Sequence, residues 1–240
     1  MNESEDFIST VSHELRTPLT SIRGFSQTML SSWDKIDDES KKKFLGIIIE
    51  QSNRLINLVE NMLSVTKLQN TKEDLIYKEF QIKPIIDTTC SVVKNQYQDK
   101  KFDVIIDEKT PCILADKDKF QQIMTNIIEN AAKYGDENTV ISIKSSFTED
   151  YVSIKVTNRG IEISKDDYEK IFTKFSRIDN PLTRKVQGSG LGLYITKNLV
   201  EKMGGNIKVN SENHQTTFEV LMPAANIERQ AKNAVIHSDN

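Results

Sequence analysis

No run of this chain stays apolar for the roughly 18 residues that a membrane-spanning helix needs. No secretory signal opens it either. Basic residues are not in excess: the formal net charge is −3, which argues against general nucleic-acid binding, since that function draws on a basic surface. Cysteines are few. Cys90 and Cys112 are the only two, and neither has metal-ligand spacing, so a disulfide framework and a thiolate metal site are both excluded. We read them as reduced thiols in a cytoplasmic protein, small residues of the core. There is no internal repeat and no low-complexity tract. What is present is 37% hydrophobic and 28% charged residues, the balance of a soluble globular protein with long, solvated helices. At 240 residues the chain has room for one large domain or two ordinary ones.

The first part of the chain reads as two long helices. Phe7, Val11, Leu15, Leu19, Ile22, Phe25 and Met29 recur at steps of three and four, predicting a helix from about Ser4 to Met29. The polar stretch SSWDKIDDESKKK then breaks the pattern. From about Ser40 to Leu68, Phe44, Ile48, Gln51, Leu55, Leu58, Met62 and Val65 form a heptad seam with one polar position. Two antiparallel helices cannot bury such long stripes alone, so a homodimer forming a four-helix bundle is expected. After the linker, residues 71–78, the pattern changes. Helices are predicted over Ile82–Tyr97, Lys117–Tyr134 and from LGLYITKNLVEKMGG with a glycine stop. SKDDYEKIF predicts a short helix capped by its serine. FDVIIDE, TVISIKSSF, YVSIKVTN, NIKVNSE and TTFEVLMP read as strands, the second and third joined as a hairpin. The expected architecture is thus a helical hairpin (1–70) followed by an α+β sandwich (79–223) of mostly antiparallel strands, with a frayed polar tail over 224–240.

Two places on this scaffold invite chemistry. On a wheel at about 100° per residue, with Phe7 at 0°, the apolar stripe of the first helix centres near 60° and His13 falls near 240°. His13 is therefore expected on the outward face, with Thr17 beside it and a bend at Pro18. Most surface histidines do nothing, but an exposed imidazole next to Glu14 has the means to act as a nucleophile. In the helix from Lys117, Phe120, Ile123, Met124, Ile127, Ile128 and Ala131 share one face, while Asn126, Asn130 and Lys133 fall on the other, between about 220° and 280°. That face is either an ordinary solvated one or a set of oxygen donors and a cation facing a magnesium phosphate. Further on, QGSGLGL places Gly188, Gly190 and Gly192 at the start of a helix, where free amides suit phosphate oxygens.

These strings carry a resemblance. SHELRTPLTSI, residues 12–22, resembles the H-box of sensor histidine kinases; NIIENAAKY, residues 126–134, resembles their N-box; IFTKF and QGSGLGL resemble the F-box and the second glycine box, in the family's order. The resemblance spans about Phe7 to Pro223. It implies a dimerisation and phosphotransfer domain followed by a Bergerat-type ATP-binding domain. It implies that His13 accepts the γ-phosphoryl group of ATP, that Glu14 is a base or orienting partner, and that Thr17 positions water for dephosphorylation of the response regulator. It assigns Asn130 as the Mg²⁺ ligand. Asn126, Lys133, Tyr134, Gly160, Gly188, Gly190, Leu191 and Gly192 become nucleotide contacts, Phe172 and Phe175 anchors of a lid, and Arg177, Arg184, Lys185 and Gln187 lid residues within reach of phosphates. The partners implied are a response regulator receiver domain and a second copy of the chain, with no nucleic acid and no membrane contact by this segment.

The first glycine box departs from the family. Aligned backwards from IF, the chain reads NRGIE: Asn158 stands where the family has the aspartate that accepts the adenine amine, and Glu162 where it has the second glycine. An amide offers one acceptor and two donors in place of a carboxylate's acceptors. Glu162 is expected to add bulk and negative charge near the nucleotide. Three readings stay open: a working site with weaker ATP binding, a site for another nucleotide, or an impaired site that leaves a dimeric regulatory or phosphatase module. A Bergerat-fold topoisomerase or chaperone is disfavoured, because those lack the His13 string and the heptad helices. The absence of a sensor segment suggests the cytoplasmic part of a longer receptor or a soluble kinase core.

Overall fold

The computed structural model describes residues 3–69, 75–176 and 188–225, without the side chains of 3–8 and 69. It divides into two compact units, 1–69 and 70–240. The first is a helical hairpin, α1 (Glu3–Ser32) and α2 (Asp38–Gln69), joined by one 3₁₀ turn at Trp33–Lys35. Asp37 starts α2 by accepting hydrogen bonds from the Ser40 amide and hydroxyl, both 2.8 Å, which fills one of the helix's unpaired donors. Pro18 sits inside α1, on its buried side. The predicted seam of α2 faces α1: Gln51, Leu58 and Val65 are buried and the seam positions between them half-buried. Phe25 and Phe44 stack across the pair with ring centres 5.1 Å apart. One residue around the wheel, Leu45, Ile49, Ile56, Val59 and Leu63 form a second apolar stripe that is exposed, Ile49 by 61%.

The second unit is an α+β sandwich. Its main sheet has the order β2 (Lys101–Ile105), β4 (Val140–Phe147), β5 (Tyr151–Arg159), β7 (Gln215–Pro223), β6 (Asn206–Glu212). Only the β2–β4 pair is parallel; the others are antiparallel. Alternation sets its faces. Ile141 and Ile143, Val152, Ile154 and Val156, and Phe218, Val220 and Met222 point to one side and are buried under α3 (Ile82–Gln96), α4 (Lys117–Tyr134) and α5 (Gly192–Lys202). The other side carries Lys144, Lys155, Glu219 and Lys208 side by side in register. The β6–β7 hairpin closes on two residues, Asn213 and His214, both left-handed at φ 53° and 57°. Two such residues are what a two-residue hairpin turn of the favoured twist requires.

Several expectations change. β1 (Tyr77–Phe80) and β3 (Ile113–Asp116) form a small antiparallel sheet of their own, so the expected linker runs into a strand. SKDDYEKIF forms two 3₁₀ turns, not an α-helix, and Ser164 donates to the Asp167 carboxylate in place of capping backbone amides. The expected tail begins too early: Ala224 is fully buried, its amide bonded to Asp150 O, and the Ala225 amide bonds Cys112 O. Cys90 is buried but Cys112 only half so; both are free.

Candidate functional site

The hairpin presents His13 and Thr17 outward, both exposed. Among the described residues the imidazole has no hydrogen-bond partner. Thr17 bonds the His13 carbonyl through its hydroxyl at 3.4 Å, the usual i–4 bond of a helical threonine. Glu14 does not turn toward His13. It accepts a bond from the Arg54 guanidinium of α2 at 3.1 Å, in a half-buried ion pair across the hairpin. Neighbours on a helix diverge by about 100°, so Glu14 is held on the inner flank while His13 faces out. Arg54 escaped sequence reasoning, because a lone arginine one step off a heptad seam reads as solvated.

The second site is built where α4 ends. Gly135 caps the helix through its amide, bonded to Ala131 O at 3.0 Å, then pairs as a bridge with Gly160 at the end of β5. Asp136 N reaches Arg159 O at 2.8 Å, and Ile161 N reaches Tyr134 O at 3.3 Å. Lys100, 4% exposed, donates to Gly135 O and Asp136 O at 3.2 and 2.8 Å and fixes this corner. The approach is so close that a Cβ on Gly160 would lie 2.2 Å from Tyr134 O, a backbone atom that cannot yield. Asn126, Asn130, Lys133 and Tyr134 are all half-buried on the face of α4 away from the core. Asn126 donates to Gly192 O at 3.4 Å and Thr196 Oγ1 at 3.3 Å, so it fastens the first turn of α5. Asn130, one turn on, has no side-chain partner among the described residues.

The glycine run lies against the same face. A Cβ on Gly188 would come within 2.8 Å of Lys133 Nζ and 4.0 Å of the Tyr134 hydroxyl. Gly190 is left-handed at φ 68°, and a Cβ there would meet the Phe175 backbone at 2.7 Å, so glycine is required on both counts. Gly192 opens α5 in ordinary contact with Asn126, and Leu191 before it is fully buried. Phe172 is buried edge-on against Phe218 at 6.5 Å, while Phe175 is half-buried with φ 59°. Arg177, Arg184, Lys185 and Gln187 lie outside the described residues. Glu129, also missed from the sequence, is on this stretch of α4; burial raises its carboxyl above the ordinary range, and Lys133 partly offsets that.

The altered glycine box behaves unevenly. Asn158 is 3% exposed, on the helix-covered side of β5 beside Gly135. The Glu162 side chain is engaged within the protein. Its carboxylate accepts a 2.5 Å bond from the His214 amide, at the left-handed corner of the β6–β7 hairpin. The positive φ that only glycine takes cheaply is absent at 162. The side chain is therefore a brace for the turn.

Residues 3–71 match the model of the His Kinase A (phospho-acceptor) domain, and 115–226 that of the histidine kinase-, DNA gyrase B- and HSP90-like ATPase. The chain is 34% identical over 221 residues to the signal transduction histidine-protein kinase ArlS of Staphylococcus haemolyticus, covering 92% of this chain and 49% of ArlS. It is 33% identical over 229 residues to the sensor protein kinase WalK of Staphylococcus aureus, covering 94% of this chain and 55% of WalK. It thus spans about half the length of the curated relatives it matches. Among solved structures, histidine kinase ThkA in complex with the response regulator TrrA superposes with a TM-score of 0.75 at 26% identity, over 92% of this chain and 61% of that one. Histidine kinase AdeS of Acinetobacter baumannii shares the fold, with a TM-score of 0.71 at 20% identity over 89% of this chain and 98% of that one. Helical hairpin, sandwich, the order of the boxes and both domain matches agree: the chain belongs to the sensor histidine kinases and carries the family's phospho-acceptor and ATPase domains.

Proposed function

We propose that this chain uses ATP to phosphorylate His13 and passes the phosphoryl group to an aspartate of a response regulator. The observation that carries the reading is the pairing, in one chain, of an outward imidazole on a helical hairpin with a glycine-lined site around Lys133. Attack by the neutral imidazole nitrogen on the γ-phosphorus forms the P–N bond as the bond to the β-phosphate oxygen breaks and ADP leaves. Lys133 and the amides of the Gly188–Gly192 run supply the charge and donors that phosphate oxygens need. Asn126 keeps the start of α5, and so that run, in place. Asn130 offers the amide oxygen suited to Mg²⁺, a hard cation that completes its shell with water and phosphate and would offset triphosphate charge.

The exposed stripe Leu45, Ile49, Ile56, Val59 and Leu63 suits a second copy of the hairpin, closing a four-helix bundle. The fold shared with ThkA, whose structure is a complex with a response regulator, supports docking of a receiver domain beside His13. Thr17, exposed one turn from His13, would hold a water for removing the phosphoryl group from the regulator. No helix among the described residues is long and apolar enough to cross a membrane, and a cytoplasmic setting fits a kinase fed by ATP. The position of Glu162 at the hairpin turn favours a working site over a regulatory module without nucleotide.

Incubation with γ-labelled ATP and Mg²⁺ tests this directly. Acid-labile, alkali-stable label on the wild-type chain, absent from His13→Ala, is expected. Label that persists in His13→Ala, or no label on a chain that binds ATP, overturns it.

A further inference from the structure

Asn158 is the side chain in the second unit whose state asks for a ligand. It lies in the row Val152, Ile154, Val156, Asn158 that β5 turns toward the helices, and it is 3% exposed. Among the described residues its amide has no hydrogen-bond partner, and it is not fully enclosed either, the one sealed and unpaired side-chain atom among them being Ser142 Oγ, so an edge of the amide stays open to a ligand. The acceptors and donors nearest in the fold are already used. Thr216, opposite it on β7, spends its hydroxyl on Ile161 O and Ser211 Oγ. Tyr134 O is taken by the Ile161 amide, and Gly160 N by His214 O. Lys133 lies at Gly188, while Asn158 lies at the closed Gly135–Gly160 corner, where the one ammonium named, that of Lys100, is already spent on Gly135 O, Asp136 O and Asp99. A triphosphate belongs at the first place and a neutral, hydrogen-bonding ring at the second.

We propose that Asn158 reads position six of a purine, and that the site therefore takes 6-oxopurine triphosphates, GTP and ITP, as well as ATP. This rests on the nucleotide reading above. The reason is the symmetry of the amide. Its oxygen accepts from the amine of adenine, and after a half-turn about its own bond its nitrogen donates to the carbonyl of guanine or hypoxanthine. Among the described residues no protein partner fixes which way it points. A carboxylate at the same place only accepts, and would face the carbonyl with like charge. Sites that leave a buried polar group unpaired reject the wrong ligand by about 10⁴-fold or more, but this amide is paired by either base, so a preference within about tenfold is expected.

Calorimetric titration of the whole chain with ATP, ITP and GTP, each with Mg²⁺, reads this without relying on phosphorylation. Wild type is expected to bind ITP or GTP within about tenfold of ATP, and Asn158→Asp to widen that gap to about 100-fold or more while keeping ATP. ATP binding with ITP and GTP both about 100-fold weaker on wild type, or the same ratio in both proteins, sinks the proposal and leaves the ATP site standing. No binding of any of the three removes both. Should the buried aspartate prevent folding, Asn158→Ala decides: equal losses for adenine and 6-oxopurine nucleotides support the reading, and a loss confined to ATP overturns it.

Discussion

Glu162→Gly restores the family's residue, and sequence alone would expect it to improve the nucleotide site. The structure predicts the opposite kind of effect. The Glu162 carboxylate accepts the His214 amide at the tip of the β6–β7 hairpin. A bond of this type at an exposed position contributes about 1 kcal/mol. Glycine adds backbone freedom to the unfolded chain, worth about 0.5–1 kcal/mol. The variant should lose about 1.5–2 kcal/mol, or roughly 3–8 °C of Tm for a domain of this class. ATP affinity by calorimetry should stay within about twofold of wild type, because the carboxylate is engaged by the His214 amide at the hairpin turn. A second substitution sharpens the test. His214 is left-handed, and a non-glycine residue there carries a cost of about 1–2 kcal/mol. Adding His214→Gly should therefore return about 1 kcal/mol to the weakened protein. A gain of about tenfold or more in ATP affinity with no drop in Tm would refute the brace and return Glu162 to the ligand's side.

Four further outcomes are expected. Gly160→Ala forces a Cβ to 2.2 Å from Tyr134 O and should cost about 3 kcal/mol, read by urea melts; a near-neutral result would mean that the Gly135–Gly160 corner opens readily. A double-mutant cycle of Glu14→Gln and Arg54→Gln should give a coupling of up to about 1 kcal/mol that weakens with salt, and no coupling would mean that the pair across the hairpin is not formed in solution. Burial raises the Glu129 carboxyl, so its contribution to stability is full while it is protonated, below its ordinary value, and is lost as pH rises through the raised one. Glu129→Gln removes that loss, and its Tm relative to wild type should climb with pH; a pH-independent difference is the contrary result. Burial, with Asp87 nearby, pushes the Cys90 thiol up to about 11, so iodoacetamide at pH 8 should modify half-buried Cys112 first, and equal rates in the folded chain would count against the packing.

Much of this was legible in the residues. A wheel placed His13 on the open face of α1, and it is exposed; the same construction split α4 into its core and its polar side. The bounds of α4 are those predicted, because Asp116 and Gly135 punctuate it in the way the periodicity suggests. The failures have physical causes. β1 and β3 are four residues each, and Tyr77–Phe80 is mostly exposed, so no period of two marks it. Ser164 looked like a cap because a serine precedes the segment, but Asp167 captured its hydroxyl. Glu162 and Arg54 depend on partners 52 and 40 residues away, and a single sequence carries no sign of such pairings. The alignment of Glu162 to a glycine was sound as a letter and misleading as geometry, since side-chain direction is set by the turn it meets.

Asp116 has a mechanical consequence. One of its carboxylate oxygens caps α4 through the amides of Asp118 and Lys119, at 3.0 and 3.1 Å, and the other takes the amide of Ile76 at 3.0 Å. Tension along the chain arriving at residue 76 is thus delivered to the first turn of α4 without crossing the five-stranded sheet. The other end of that helix is bolted at Gly135 and Asp136 by Lys100. The helix that carries Asn126 and Asn130 is a lever with a stiff fulcrum at its C-terminal end and, at its N-terminal end, a hitch made of the Asp116 side chain and the short β1–β3 ladder beside it.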